Sequence, residues 1–195
     1  MGSRSIDPSD LLSLLEYEKR REKMRAEIIA LRQLRRVEAG PWVSLAFEDR
    51  RTVLYQIQEM LRIERIVDPE KVRHEIETYA DLLPRPGELS ATFFIEIPDE
   101  GQRRAALSFL GGIERHVRLR CGNSTSAAVD KRPIDPSIER PGQATAVYYL
   151  GFPLDPALRA ALRGSEQVWL EINHPRYHHA AGLSPETRAS LASDL

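Results

Sequence analysis

The order of apolar and polar residues predicts a helical first part and a strand-rich second part. No glycine or proline interrupts residues 10–37, and apolar residues recur there on a seven-residue spacing, which predicts one long helix. A β-rich, alternating segment at 42–47 predicts a strand, and two more helices are expected at 48–66 and 69–83. The first 87 residues are therefore expected to be mainly helical.

The seven-residue spacing in the first helix leaves two interpretations open. Its apolar members are Leu14, Tyr17, Met24, Ile28 and Leu31. Arg21 and Arg35 occupy positions of the same stripe, and two arginines in so short a seam disfavour a free-standing coiled coil. Packing against the protein's own body is favoured, and the seam of a homodimer is the alternative.

The second part of the chain repeats one pattern. After a linker at 84–87, the order strand, helix, strand occurs at 91–121 and again at 144–173. This order is that of a ferredoxin-like fold, in which four strands form one antiparallel sheet with two helices on one face. Residues 123–142 are expected to link the two copies as a loop or short hairpin.

The expected fold class is α+β, with an N-terminal helical half packed on a ferredoxin-like (βαβ-βαβ) antiparallel sheet. Residues 1–87 form the mainly helical half with one strand, and residues 88–182 form the duplicated unit. Residues 183–195 are expected to form a short, loosely held tail helix. The three segments together are expected to make one compact domain.

Strand alternation divides the predicted sheet into two faces. One phase is apolar and is expected beneath the two helices; its members are Phe93, Ile95, Ile97, Val117, Leu119, Cys121, Val168, Leu170 and Ile172. The other phase mixes aromatic and charged residues; its members are Phe94, Glu96, Arg118, Arg120, Tyr148, Trp169, Glu171 and Asn173. The helical half is expected to cover this mixed face, which predicts either a ligand pocket or an ion-paired interface without a ligand.

The second helix adds polar residues to this prediction. Glu64 falls within the apolar arc of the helix, so its carboxylate is expected to be paired or protonated. Gln56 and Glu59 lie beside that arc, and Glu48 and Arg50 lie at the helix entrance. The candidate ligand-binding residues are Glu48, Arg50, Gln56, Glu59, Glu64, Glu96, Arg118, Arg120, Tyr148, Trp169 and Glu171.

One stretch of the sequence resembles a known family. Residues 47–65 read Phe-Glu-Asp-Arg-Arg-Thr-Val-Leu-Tyr-Gln-Ile-Gln-Glu-Met-Leu-Arg-Ile-Glu-Arg, and residues 15–18 read Leu-Glu-Tyr-Glu. These segments resemble the bacterial domain-of-unknown-function family numbered 3501. Such proteins tend to be encoded beside rubrerythrin-like proteins and iron–sulfur oxidoreductases, so the resemblance implies a redox or oxidative-stress context with those partners. The family implies no activity and no catalytic residues.

Composition narrows the class of function. The chain has 28 Lys and Arg against 29 Asp and Glu, so its near-zero net charge disfavours a nucleic-acid partner. No segment is apolar and long enough to span a membrane, and no signal segment opens the chain, so a cytoplasmic location is expected. The single cysteine, Cys121, excludes an internal disulfide and a Cys-x-x-Cys metal site.

Three histidines cluster after the last predicted strand. His174, His178 and His179, with Glu171 shortly before them, could bind Fe, Mn or Zn. Their spacing matches no established ligand motif, and a solvated loop is the favoured interpretation.

Three hypotheses about function follow from these features. The leading one is a non-catalytic accessory or small-ligand-binding protein in a redox context. The first alternative is a small metal-dependent or acid–base enzyme that uses Glu48, Glu59, Glu64 and the histidines. The second is an RNA-binding ferredoxin-like module, in which the aromatic residues Phe94, Tyr148 and Trp169 would stack on bases.

Overall fold

The computed structural model of the chain describes residues 5–132 and 142–195. The α-helices in these ranges are α1 (Leu14–Leu34), α2 (Arg50–Ile63), α3 (Pro69–Ala80), α4 (Glu100–Phe109), α5 (Pro156–Arg163) and α6 (Pro185–Ala192). The strands are β1 (Arg36–Glu38), β2 (Val43–Glu48), β3 (Glu88–Ile95), β4 (Val117–Cys121), β5 (Ser124–Ala127), β6 (Val129–Asp130), β7 (Val147–Pro153), β8 (Trp169–His174) and β9 (Tyr177–Gly182). Short 3-10 helices span Pro8–Asp10 and Ile113–His116.

The strands form two antiparallel sheets. The five-stranded sheet has the order β1-β2-β3-β7-β6, and the four-stranded sheet has the order β5-β4-β8-β9. The expected linker between the copies contains β5 and β6, and its residues 133–141 lie outside the described ranges. The coarse prediction of an α+β protein with antiparallel strand pairing is therefore confirmed.

The single ferredoxin-like sheet is not what the structure contains. Within each predicted repeat, the first strand joins the five-stranded sheet and the second joins the four-stranded sheet. The copies nevertheless pair strand for strand, because β3 lies antiparallel to β7 and β4 lies antiparallel to β8. Hydrophobic phase shows which side of a strand is buried, but the same phase is compatible with either sheet arrangement.

The main hydrophobic core contains residues of both sheets together with residues of α4, α5 and α6. All nine residues of the predicted apolar phase are buried in it. Tyr148, which was assigned to the mixed face, is also buried there, and its ring centroid lies 5.9 Å from that of Phe93. The phase assignment of Tyr148 is therefore wrong.

A second, smaller hydrophobic cluster lies on the other side of the five-stranded sheet. Val53 and Ile57 of α2 and Ile76 of α3 belong to it, and Tyr149 of β7 packs against it. Since Tyr149 neighbours the core residues Tyr148 and Leu150 in sequence, it projects from the opposite face of β7. The helices α2 and α3 thus cover the outer face of the five-stranded sheet.

The C-terminal helix is firmly packed, which corrects the expectation of a loose tail. Leu191 of α6 is fully buried. The equally buried Arg35 donates from Nε to the Phe47 carbonyl at 2.9 Å and from Nη2 to Asp194 at 2.5 Å. This guanidinium joins the end of α1, strand β2 and the C-terminal segment. No helix within the described ranges is long and apolar enough to cross a membrane.

Candidate functional site

A cavity of about 500 Å³ lies between the N-terminal helices and the outer face of the five-stranded sheet. It mixes charged, polar and aromatic groups. Its lining residues are Arg32, Arg36, Ala46, Glu48, Tyr55, Gln56, Glu59, Thr92, Phe94, Val147 and Tyr149.

Strand register places the sheet residues of this lining on one face. Ala46 of β2 lies opposite Thr92 of β3, and Ser44 lies opposite Phe94. Because side chains alternate along a strand, Ala46, Thr92 and Phe94 face the same side. The helix α2 begins directly after β2, where Asp49 caps it by accepting hydrogen bonds from the amides of Arg51 and Thr52. The short connection holds α2 against the end of β2.

Glu48 is a buried carboxylate at the wall of the cavity. The hydroxyl of Thr92 donates to Oε1 at 2.6 Å, and the hydroxyl of Thr52 donates to Oε2. Within residues 5–132 and 142–195, no Lys, Arg or His forms a salt bridge with this carboxylate. Arg35 donates to the main-chain carbonyl of Glu48, at 3.1 Å, and not to its carboxylate. The salt bridges of Arg35 are with Asp49 and Asp194.

Glu59 differs because cationic groups surround its carboxylate. Arg21 donates to it from Nε at 2.8 Å and from Nη2 at 3.0 Å. The hydroxyl of the buried Tyr17 donates at 2.6 Å, and Arg62 donates from Nε at 3.2 Å. These hydrogen bonds, led by that from Arg21, lower the pKa of Glu59 to about 2, although burial opposes the shift. Burial and the neighbouring Glu59 raise the pKa of Tyr17 well above its usual value.

The two arginines that line the cavity differ in whether they have hydrogen-bond or salt-bridge partners. Arg36 forms a salt bridge with Glu96, donates to Ser44 Oγ at 2.7 Å and lies 5.5 Å above the centroid of the Phe94 ring. Burial opposes ionisation of Glu96, but hydrogen bonds from Ser44 and Arg36 hold its pKa below the usual value. Arg32 lines the cavity, and its guanidinium has no hydrogen bond or salt bridge among the described residues.

Two residues predicted on α2 lie away from this cavity. Arg50 forms a salt bridge with Asp10 at 2.5 Å and does not belong to the lining. Glu64 is exposed and caps the C-terminal end of α2, so the prediction that its carboxylate is paired is wrong. The helix ends at Ile63, before the apolar arc reaches Glu64, and Arg65 adopts a left-handed conformation with φ of 55°.

The remaining members of the predicted mixed face lie on the other sheet. Arg118 and Arg120 of β4 donate to Glu171 of β8 at 2.7 and 2.5 Å, on the outer face of the four-stranded sheet. Burial opposes ionisation of Glu171, but these two hydrogen bonds hold its pKa below the usual value. Trp169 is exposed beside Arg120. One predicted face is therefore divided between two sheets.

The structure does not assemble the histidines into a metal site. His178 and His179 are consecutive residues of β9 and point to opposite faces. His174 is buried at the end of β8, where burial lowers its pKa and its ring centroid lies 5.2 Å from that of His116. No group of three or more His, Cys, Asp or Glu residues in the described part of the chain could hold a metal ion.

Sequence reasoning missed several residues of the cavity. Thr92 shares the strand phase of Phe94, so alternation alone could have placed it on the mixed face. Arg32 lies near the end of α1 and Arg36 lies in β1, and only the tertiary structure shows that Arg32 reaches the cavity. Tyr149 is the neighbour of Tyr148 in β7. Once Tyr148 is assigned to the core side, strand alternation places Tyr149 on the cavity side.

Comparisons with known proteins extend over the whole described chain. The model of the family described as "Protein of unknown function (DUF3501)" matches residues 5–195. A crystal structure of a protein from Burkholderia pseudomallei, described as a novel protein of unknown function, is similar with a TM-score of 0.88 and 38% sequence identity. The similarity covers 98% of this chain and 99% of that chain. No curated protein matches the sequence.

Proposed function

Because this chain belongs to the DUF3501 family of proteins of unknown function, we propose its function from its own site: it binds a small organic molecule in the cavity between α2 and the five-stranded sheet. The observation that carries this proposal is the buried carboxylate of Glu48, which lines the cavity and forms no salt bridge within the described ranges. Burying an uncompensated charge is costly, and a bound ligand would offset that cost. The cavity volume of about 500 Å³ lies in the range of small-molecule sites, roughly 300–1,000 Å³.

We favour binding without catalysis. A general base works best with a pKa near neutral pH, whereas the pKa of Glu59 is held at about 2 and its oxygens accept hydrogen bonds from Tyr17, Arg21 and Arg62. Glu64 lies outside the cavity lining. The acid–base alternative that uses Glu48, Glu59 and Glu64 together therefore has less support than ligand binding.

The RNA-binding alternative also has less support. It needs several aromatic residues on one open sheet face. Phe94 lines the helix-covered cavity, Tyr148 is buried in the main core, and Trp169 lies on the outer face of the four-stranded sheet.

We place this binding role in a cytoplasmic redox or oxidative-stress context, as an accessory to rubrerythrin-like or iron–sulfur proteins. The family resemblance supports this context. Size-exclusion chromatography of the purified chain with each neighbouring gene product tests it. Co-elution of the two proteins is expected, and separate elution with every product would contradict the accessory role.

A thermal-shift screen of small metabolites tests the binding proposal. Ala46 is buried in the sheet wall of the cavity, so Ala46→Phe fills part of the cavity. Ala180→Phe is the matched control, because Ala180 lies exposed on β9. A true ligand is expected to stabilise the wild type and Ala180→Phe but not Ala46→Phe. Gln56→Phe, on the helical wall, is a second blocking variant if Ala46→Phe folds poorly.

The proposal fails if every stabilising compound acts equally on the wild type and on both blocking variants. It also fails if a broad metabolite library contains no compound that stabilises the wild type.

A further inference from the structure

The charged groups of the cavity differ in how completely other side chains compensate them. Four charged residues line it: Arg32, Arg36, Glu48 and Glu59. Two of them already have partners of opposite charge, because Glu59 is held by Arg21 and Arg62, and Arg36 is held by Glu96. The other two, Glu48 and Arg32, have no such partner among the described residues. Among the described residues that line the cavity, one acidic and one basic side chain thus have no partner of opposite charge.

Glu48 retains the capacity to bind a donor. A carboxylate can accept about four hydrogen bonds, and the two hydroxyls of Thr52 and Thr92 use one site on each oxygen. These hydroxyls orient the carboxylate but bring no positive charge. A ligand ammonium group could donate to the remaining sites and would supply the missing charge.

Arg32 is suited to the opposite group. Its guanidinium is planar and presents several donors, a geometry that matches a carboxylate. Arg32 belongs to the last turns of α1, whereas Glu48 is the last residue of β2. The two uncompensated charges therefore come from different walls, and the apolar groups of Phe94, Val147 and Tyr149 also line the space.

We propose that the ligand is a small zwitterion with an apolar body, whose ammonium group binds Glu48 and whose carboxylate binds Arg32. This inference rests on the proposed function, since it specifies the ligand class of the same cavity. Each charge of such a molecule meets an uncompensated partner, and its body contacts the aromatic wall. A pure anion or a pure amine would leave one of the two protein charges without a partner.

Calorimetric titration with matched probes tests the ligand class. The first set is 4-(aminomethyl)benzoate, benzoate and benzylamine, and the second is 6-aminohexanoate, hexanoate and hexylamine, which changes the length and stiffness of the body. In at least one set, the zwitterion is expected to bind about tenfold or more tightly than either half-charged analogue. A charge-assisted hydrogen bond is worth at least that ratio.

Variants assign each charge to its protein partner. Glu48→Gln is expected to remove the preference for the zwitterion over the acid, and Arg32→Gln the preference over the amine. Glu64→Gln and Arg25→Gln are matched controls on exposed residues and are expected to leave both preferences unchanged.

Two results would overturn the inference. If an acid or an amine binds as tightly as its zwitterion and Ala46→Phe blocks that binding, the ligand class is wrong although the cavity binds ligands. If no probe of either set binds in a manner that Ala46→Phe blocks, the zwitterion proposal is rejected. The separate metabolite screen then decides whether the cavity binds any ligand.

Discussion

Two carboxylates, one on each side of the molecule, each lie between a pair of arginines but in different surroundings. On the open four-stranded sheet, Glu171 lies between Arg118 and Arg120, whose side chains are 43% and 35% exposed. Between helices α1 and α2 on the five-stranded side, Glu59 lies between Arg21 and Arg62, whose side chains are 25% and 27% exposed. Both carboxylates have lowered pKa values, and that of Glu59 falls to about 2.

The covered face differs from the open one in a second respect. Glu48 is 4% exposed and has no salt bridge in the part of the chain that the structure describes. On this covered side, two arginines pair with Glu59, whereas no described cationic side chain pairs with Glu48. The stability of the fold alone hardly explains this difference. This contrast supports our proposal that the helices enclose a binding site and do not serve only to bury the sheet.

The largest expected effect comes from the buried Arg35, which joins the end of α1, strand β2 and the C-terminal segment. Replacing Arg35 by Met is expected to cost about 3–5 kcal/mol of unfolding free energy, because Asp194 would lose its buried partner. Urea denaturation measures this loss. Arg25→Met, on the exposed side of α1, is the control and should change stability by less than about 0.5 kcal/mol.

Glu59→Gln is expected to cost about 2 kcal/mol, because its hydrogen bonds to charged donors are weakened. Since the pKa of Glu59 is lowered on folding, its contribution is fully present above the unfolded value of 4.5. That contribution is lost as the pH falls toward about 2. Denaturation of wild type and variant at pH 7 and pH 3 measures the gap between them, which should narrow at pH 3. An unchanged gap would contradict the assigned pKa.

Glu171→Gln, on the open face, is expected to cost less than about 1 kcal/mol, because its arginine partners are more solvated. Urea denaturation in low and high salt measures this cost, which salt should reduce. A loss of stability equal to that of Glu59→Gln would show that the two arginine-paired carboxylates contribute equally, despite their different surroundings.

The last expected effect on stability has the opposite sign. Glu48→Gln is expected to stabilise the ligand-free protein by about 1 kcal/mol, because it removes an uncompensated buried charge. The melting temperature measures this gain, and Glu59→Gln provides the contrasting loss. A large destabilisation by Glu48→Gln would show that its carboxylate supports the fold and is not reserved for a ligand.

Sequence patterns predicted the local elements of this fold well, because helix periodicity and strand alternation are local properties. The apolar phase that includes Phe93, Leu119 and Leu170 is buried as expected. Sheet membership was not predictable in the same way, since the pairing of β3 with β7 joins residues more than fifty positions apart. Each repeat could place its two strands in one sheet or in two without changing its pattern.

The candidate site was predicted in part for the same reason. A site between the helical half and a mixed sheet face was expected, and Glu48, Gln56 and Glu59 line the cavity found there. Arg118, Arg120 and Glu171 share the strand phase of a mixed face but belong to the second sheet. Glu64 was misplaced because α2 ends one residue earlier, where Arg65 reverses the backbone.

The most direct test of the central claim is to map where a ligand contacts the protein. Isotope-labelled protein would be titrated in turn with the two zwitterions, 4-(aminomethyl)benzoate and 6-aminohexanoate, and the shifts of backbone amide signals followed by NMR spectroscopy. We expect at least one of them to cause saturable shifts at Ala46, Gln56 and Thr92 around the covered cavity, with Arg118 and Trp169 on the open sheet unchanged. If both compounds shift only signals of the open sheet, or neither causes a saturable shift, the proposed zwitterion site is contradicted.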